Sequence, residues 1–124
     1  MNEQELREIV TNMCIESINT GTRLLLWHST RHNWSQATFG VSSERSSLGP
    51  LRHLEKEVQE AIRETDLAKR LTEYADCLHL IFDAADRDGF SLEDVLTACE
   101  EKLKVNMQRV WPKGSSDSPV EHKE

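Results

Sequence analysis

The chain has 124 residues and a mass of 14.3 kDa, the size of one small domain rather than of a multi-domain assembly. Hydrophobic residues make up 37% and charged residues 30%, with a mean hydropathy of −0.60, a composition that excludes a wholly disordered chain. Lys and Arg total 15 against 22 Asp and Glu, for a net charge of −7, which argues against binding a nucleic-acid polymer and allows sites that gather cations.

The longest apolar run, Leu24-Leu25-Leu26-Trp27, is far shorter than the roughly 20 residues a membrane helix needs, so no membrane partner is expected. The acidic start Met1-Asn2-Glu3-Gln4-Glu5 leads into no signal-type segment, and the expected location is cytoplasmic. Cys14, Cys77 and Cys99 are an odd count without close pairing. Cys77 and Cys99 fall in helical apolar patterns and read as reduced, mostly buried thiols. His79 is near Cys77, but nothing in the sequence organises the two as nucleophile and base.

Taken in chain order, the first predicted helix covers Glu3 to about Asn19, with Leu6, Ile9, Val10, Met13 and Ile18, and carries on after Gly21 through Leu24–Leu26. Trp34 and Phe39 precede a Ser-rich loop at 41–49. Gly49-Pro50 places proline at a first helical position, where its missing N–H costs nothing. A helix from Leu51 to Arg63 follows, with Leu54, Val58, Ala61 and Ile62 on one stripe. After a short turn at Glu64–Asp66, the next helix runs from Leu67 to Asp86, with Leu71, Tyr74, Ala75, Leu78, Ile81, Phe82 and Ala85 apolar. Asp88-Gly89 reads as its stop, and Ser91 with Glu93-Asp94 as the cap of a last helix. That helix runs from Leu92 to Val110, with Val95, Leu96, Cys99, Leu103, Met107 and Val110, and Trp111-Pro112 ends it. The expected fold is all-α: an antiparallel bundle of four to five helices in a single domain over residues 1–112, followed by a polar, mobile tail at 113–124.

Two acidic steps stand out. Glu57 and Glu60 are three residues apart on one predicted helix, Glu73 and Asp76 three apart on the next. Residues at i and i+3 lie within about 60° on a helix surface, so each helix aims two carboxylates at one point. Packed antiparallel across the short turn, the four carboxylates can meet. Four like charges repel unless divalent cations sit between them, and hard oxygen ligands suit Mg²⁺ or Mn²⁺. The bland alternative is a solvated acidic face, but Glu73 and Asp76 interrupt an otherwise apolar stretch. Asp83, seven residues beyond Asp76 and only about 20° away in projection, either extends the site or is a hydrated residue.

Lys102, Asn106 and Arg109 are predicted to share a face of the last helix, a set that suits phosphate oxygens or, more blandly, an exposed salt-bridged surface. Trp34 and Phe39 suit stacking on a base or plugging one end of the bundle, and His53, one turn before Glu57, is placed to face the site.

The succession Trp34-Ser-Gln-Ala-Thr-Phe39-Gly40, Gly49-Pro50-Leu51-Arg52-His53-Leu54-Glu55-Lys56-Glu57-Val58-Gln59-Glu60, Glu73-Tyr74-Ala75-Asp76 and Glu101-Lys102 through Asn106 to Arg109-Val110-Trp111-Pro112 resembles the MazG-like, all-α nucleoside triphosphate pyrophosphohydrolases. More narrowly it resembles their phage-type dATP/dGTP diphosphohydrolase branch, which includes the MazZ enzymes. The resemblance covers about residues 34–112. It implies that Glu57, Glu60, Glu73 and Asp76, filling an ExxE-spacer-ExxD pattern, bind two or more Mg²⁺ or Mn²⁺ ions. It implies that Lys102 and Asn106, with Arg109 beside them, meet the phosphates. Water would attack the α-phosphorus of a deoxypurine triphosphate, dGTP or dATP, releasing monophosphate and pyrophosphate, with Glu57 or Glu60 taking the proton. It further implies a homo-dimer or homo-tetramer in the cytoplasm of a bacterial or phage-infected cell. The N-terminal part, where base selection largely rests, departs most from the pattern.

Two other classes compete. A non-enzymatic helical partner-binding or regulatory module explains the periodicity equally well, but not acids at two matched spacings inside apolar stretches. A di-iron carboxylate bundle wants Glu-x-x-His on two helices, and only Asp76-Cys77-Leu78-His79 comes near.

Overall fold

The computed structural model describes residues 2–113, 117 and 119–123. Its regular structure is helical: α1 Glu3–Phe39, a short 3₁₀ turn at Ser42–Glu44, α2 Leu48–Arg63, α3 Leu67–Arg87 and α4 Leu92–Gln108. No strand occurs among the described residues, and an isolated antiparallel bridge pairs Val110 with Lys123. The fold is all-α, as the periodicity predicts. The chain divides into two compact units, Met1–Gly89 and Phe90–Glu124. No helix among the described residues is long and apolar enough to cross a membrane.

The first unit departs from expectation at its start. α1 is one continuous helix of 37 residues, with no break near Asn19 and with Trp34 and Phe39 inside its last turns. An interior glycine costs only about 1 kcal/mol against alanine, which a long hydrogen-bond ladder absorbs at Gly21. A capping box starts α1: Asn2 Oδ1 accepts from the Glu5 N–H at 2.8 Å, and Glu5 Oε2 from the Asn2 N–H at 2.9 Å. Gly40 ends it with φ 101°, a left-handed value that disfavours any side chain. Leu6, Ile9 and Val10 are exposed, and the apolar residues of α1 are spread around its axis rather than gathered on one face. The side chains of residues 13–18 and 43 lie outside the described residues, among them Met13, Cys14 and Ile18.

α2 begins three residues earlier than predicted, which puts Pro50 third in the helix. It is tolerated there because the first four N–H groups have no intrahelical partner. α2 packs along α3 across a tightly held turn. Asp66 Oδ1 caps α3 by accepting from Ala68 N at 3.0 Å and Lys69 N at 3.3 Å, and Arg70 Nε donates to the Glu64 carbonyl at 2.8 Å. Ala61 on α2 and Ala84 on α3 are buried and Leu54, Leu80 and Phe82 half-buried, whereas many larger apolar residues of both helices stay open, with Ile62 66% and Leu71 67% exposed.

The C-terminal half of α1 packs against α3. Trp27 meets Phe82 edge-on at 5.6 Å and His79 at 5.0 Å. Buried Arg31 donates to Asp86 Oδ2 at 2.6 Å, an oxygen that His32 Nδ1 also reaches at 3.0 Å.

In the second unit, Ser91 and Asp94 form the predicted cap of α4, with reciprocal bonds of 3.0 and 2.9 Å. α4 ends at Gln108, two residues early, and Arg109 leaves the helix with an extended ψ of 155°. The Trp111 indole N–H donates to the Asn106 carbonyl at 2.7 Å, which satisfies one carbonyl that the helix end leaves open. Lys123 N donates to Val110 O at 2.6 Å; residues 114–116, 118 and 124 of the tail expected to be mobile lie outside the described residues. Cys99 is exposed, a correction to its expected burial, and Cys77 is half-buried.

Candidate active site

The acidic steps fall where helix geometry puts them. α2 carries Glu57 and Glu60 one turn apart, and α3 carries Glu73 opposite them. One carboxylate oxygen from each of Glu57, Glu60 and Glu73 lies within 4.8 Å of the others, and all three residues are half-buried. Asp76 stands outside this group: it is exposed, one turn further along α3. Its charge still reaches Glu73.

Burial pushes the Glu73 carboxyl up, and its hydrogen bond with Glu57 and the charges of Glu60, Glu57 and Asp76 push the same way. Burial also pulls Glu57 upward, but hydrogen bonds with Glu60, Glu73 and His53 outweigh it and hold Glu57 below its ordinary value. Glu73 Oε2 is enclosed and has no hydrogen-bond partner. Converging carboxylates with one orphaned oxygen, and no nitrogen or sulfur among the donors, fit a hard divalent cation of the Mg²⁺ or Mn²⁺ kind.

Beside the carboxylates opens a cavity of about 670 Å³, a size that suits a small organic ligand. Glu57 and Asp76 line it together with Trp34, Phe39 and His53, so the two aromatic residues suited to stacking on a base, and the histidine placed to face the site, share one space with two of the acids. Trp34 and Phe39 stand edge to face at 5.5 Å, and both are exposed. His53 also has a second role, because its Nε2 lies 3.0 Å from Glu57 Oε1.

Asp83 is not among the three converging carboxylates, and both of its oxygens have protein partners. Its Oδ1 accepts from Ser35 Oγ at 2.7 Å, its Oδ2 lies 3.1 Å from Arg87 Nη2, and its side chain is 13% exposed. Arg87 Nη1 in turn donates to the Ser46 carbonyl at 2.9 Å. Ser35, Asp83 and Arg87 all line the cavity. This polar group was not legible in the sequence, since Ser35 and Asp83 are 48 residues apart.

Burial first, then the charges of Glu57, Asp76 and Glu73, push the Cys77 thiol up, away from the thiolate form a nucleophile needs. Lys102, Asn106 and Arg109 belong to the second unit. Lys102 and Asn106 lie four apart on α4, but Arg109 does not continue their face, because the helix has ended; its Nη1 donates to Asn106 Oδ1 at 3.4 Å.

Residues 27–123 match the family model of the dATP/dGTP pyrophosphohydrolases. The match begins at Trp27, the residue at which aromatic contacts between α1 and α3 begin. No curated protein and no solved structure matches the chain significantly. With its all-α fold and converging carboxylates, the chain belongs to the dATP/dGTP pyrophosphohydrolase family, MazG-like enzymes that are nucleoside triphosphate diphosphatases.

Proposed function

We propose that the protein hydrolyses a deoxypurine triphosphate, dGTP or dATP, to monophosphate and pyrophosphate, with water attacking the α-phosphorus and with Mg²⁺ or Mn²⁺ required. The observation that carries this reading is the meeting of Glu57, Glu60 and Glu73 within 4.8 Å, beside an aromatic-walled cavity. Glu57, Glu60, Glu73 and Asp76 would hold two or more divalent ions. Ions bound there supply Lewis-acid chemistry, offsetting charge on the triphosphate and making water more acidic. Glu57 or Glu60 accepts the proton of the attacking water; Glu57 is the better oriented of the two, through its bond to His53. Trp34 and Phe39 offer ring surface to a purine. Lys102 and Arg109 would hold the leaving pyrophosphate, and the Asn106 amide would hydrogen-bond to phosphate oxygens.

Self-association as a dimer or tetramer is part of this reading. Ile62 and Leu71, each about two-thirds exposed, are the kind of apolar surface a second copy would cover. Light scattering after size exclusion measures it.

The test of function is a panel assay of purified protein with Mg²⁺ or Mn²⁺ and each dNTP and NTP, with products separated by anion exchange. Monophosphate plus pyrophosphate from deoxypurine triphosphates is the expected result. Diphosphate plus phosphate would move the attack to the γ-phosphorus. No turnover with either ion would favour the non-enzymatic helical module.

A further inference from the structure

The cavity holds one polar group that the carboxylate cluster does not use. Asp83 sits on α3 seven residues beyond Asp76, which is about 10.5 Å along the helix axis. That separation is the reach of a deoxyribose and a purine from a phosphate held at the acids. Asp83 and the aromatic side chains of Trp34 and Phe39 line the same cavity, so a base stacked on those rings would share that space with the carboxylate.

A carboxylate accepts through about four lone-pair sites and donates nothing. Ser35 Oγ and Arg87 Nη2 each occupy one oxygen of Asp83, at 2.7 and 3.1 Å. One further acceptor site on each oxygen is left for a ligand. The Arg87 side chain, itself 14% exposed, also pairs with Asp83 and offsets the charge of its carboxylate. Two parallel acceptors match the Watson–Crick edge of guanine, where N1–H and the N2 amine are adjacent donors. Adenine presents a bare N1 acceptor at the same place, whose lone pair would face the carboxylate.

Resting on the proposed reaction, we infer that Asp83 is the specificity-determining residue of this site, accepting from N1–H and N2–H₂ of guanine and rejecting adenine, with Ser35 and Arg87 as the residues that position it. The loss of one hydrogen bond to a charged group is about 10- to 100-fold. A buried polar group left facing the wrong partner rejects a substrate more strongly still.

The experiment needs no variant at first. kcat/KM of the wild-type protein with Mn²⁺ is measured for dGTP, dITP and dATP. dITP keeps N1–H and lacks the N2 amine, so it should fall about tenfold below dGTP, and dATP should fall at least about 100-fold below dGTP. Asp83→Asn, whose amide offers one acceptor and one donor, should then lower the dGTP:dATP ratio by about 100-fold. A purely structural role would lower both substrates together and leave the ratio unchanged. Equal turnover of dGTP and dITP, a preference for dATP, or an unchanged ratio in Asp83→Asn overturns the assignment while leaving the reaction standing. Absence of turnover of every nucleotide overturns the reaction, and the assignment with it.

Discussion

His53 Nε2 lies 3.0 Å from Glu57 Oε1, one helical turn away on α2, and the two differ sharply in setting: the His53 side chain is 56% exposed, that of Glu57 only 13%. The imidazole thus reaches inward from the cavity wall to a shielded carboxylate and fixes one of its oxygens. His53→Ala should lower kcat by up to about tenfold, the scale of one hydrogen bond to a charged group after solvent screening. The melting temperature should hardly move. Steady-state kinetics beside thermal melting checks this, and an unchanged kcat would remove His53 from the positioning of Glu57.

Glu73 links the cluster to pH and to metal. Its carboxyl is held above the ordinary glutamate value, first by burial. A raised pKa favours the fold at pH below the ordinary value, and that contribution disappears as pH rises through the raised one. At neutral pH the ionised Glu73 therefore weighs against the metal-free protein. Glu73→Gln should melt higher than wild type without metal, by a margin that widens from acid toward pH 7. With Mn²⁺ the order should reverse. A site filled at 100 times its Kd stabilises the wild type by about 2.7 kcal/mol, and the variant should lose most of that shift. Melting curves across pH, with EDTA and with Mn²⁺, read both signs.

Glu60→Gln and Asp76→Asn test the carboxylates separately. Glu60 belongs to the group within 4.8 Å and Asp76 stands outside it. Glu60→Gln should cost about 10²- to 10⁴-fold in kcat, the range of a general base or a lost charge at the reacting centre. Asp76→Asn should also lose activity, with the larger share of its effect in the Mn²⁺ concentration needed for half-maximal rate. Both should keep the wild-type circular dichroism. Near-wild-type rates in both would disprove the site.

The turn between α2 and α3 sets the register of Glu60 against Glu73. Asp66 holds it by accepting from the Ala68 and Lys69 N–H groups. Asp66→Ala should destabilise the protein by about 1 kcal/mol, the usual value of a lost N-cap. Asp66→Asn, which keeps the acceptor, should recover most of it. Urea unfolding of the two variants gives the comparison.

Much of the molecule could be read locally. α3 starts at Leu67 as the sequence indicates, because Asp66 is a strong cap, and α4 starts at Leu92 behind the Ser91–Asp94 box. The stop at Asp88-Gly89 is equally local, with Gly89 at φ 86°. α1 carries on past Gly21 as the sequence suggests but runs on to Phe39, beyond the predicted Leu26, where contacts of Trp27 and Arg31 with α3 hold the later turns in place. The spacing of Lys102, Asn106 and Arg109 predicts one shared face, but α4 ends at Gln108, before Arg109.

The sequence by itself determined the all-α class, where α3 and α4 start, and that Glu57 with Glu60, and Glu73 with Asp76, share a face, since periods of three and four are properties of neighbouring residues. Which carboxylates converge was decided by how α2 lies along α3, and that arrangement leaves Asp76 a turn away from the other three. The Ser35–Asp83 bond spans 48 residues and the Arg31–Asp86 pair 55. No local pattern encodes such partners, because each becomes a neighbour only when α1 is laid on α3 and polar groups enclosed there must find one another.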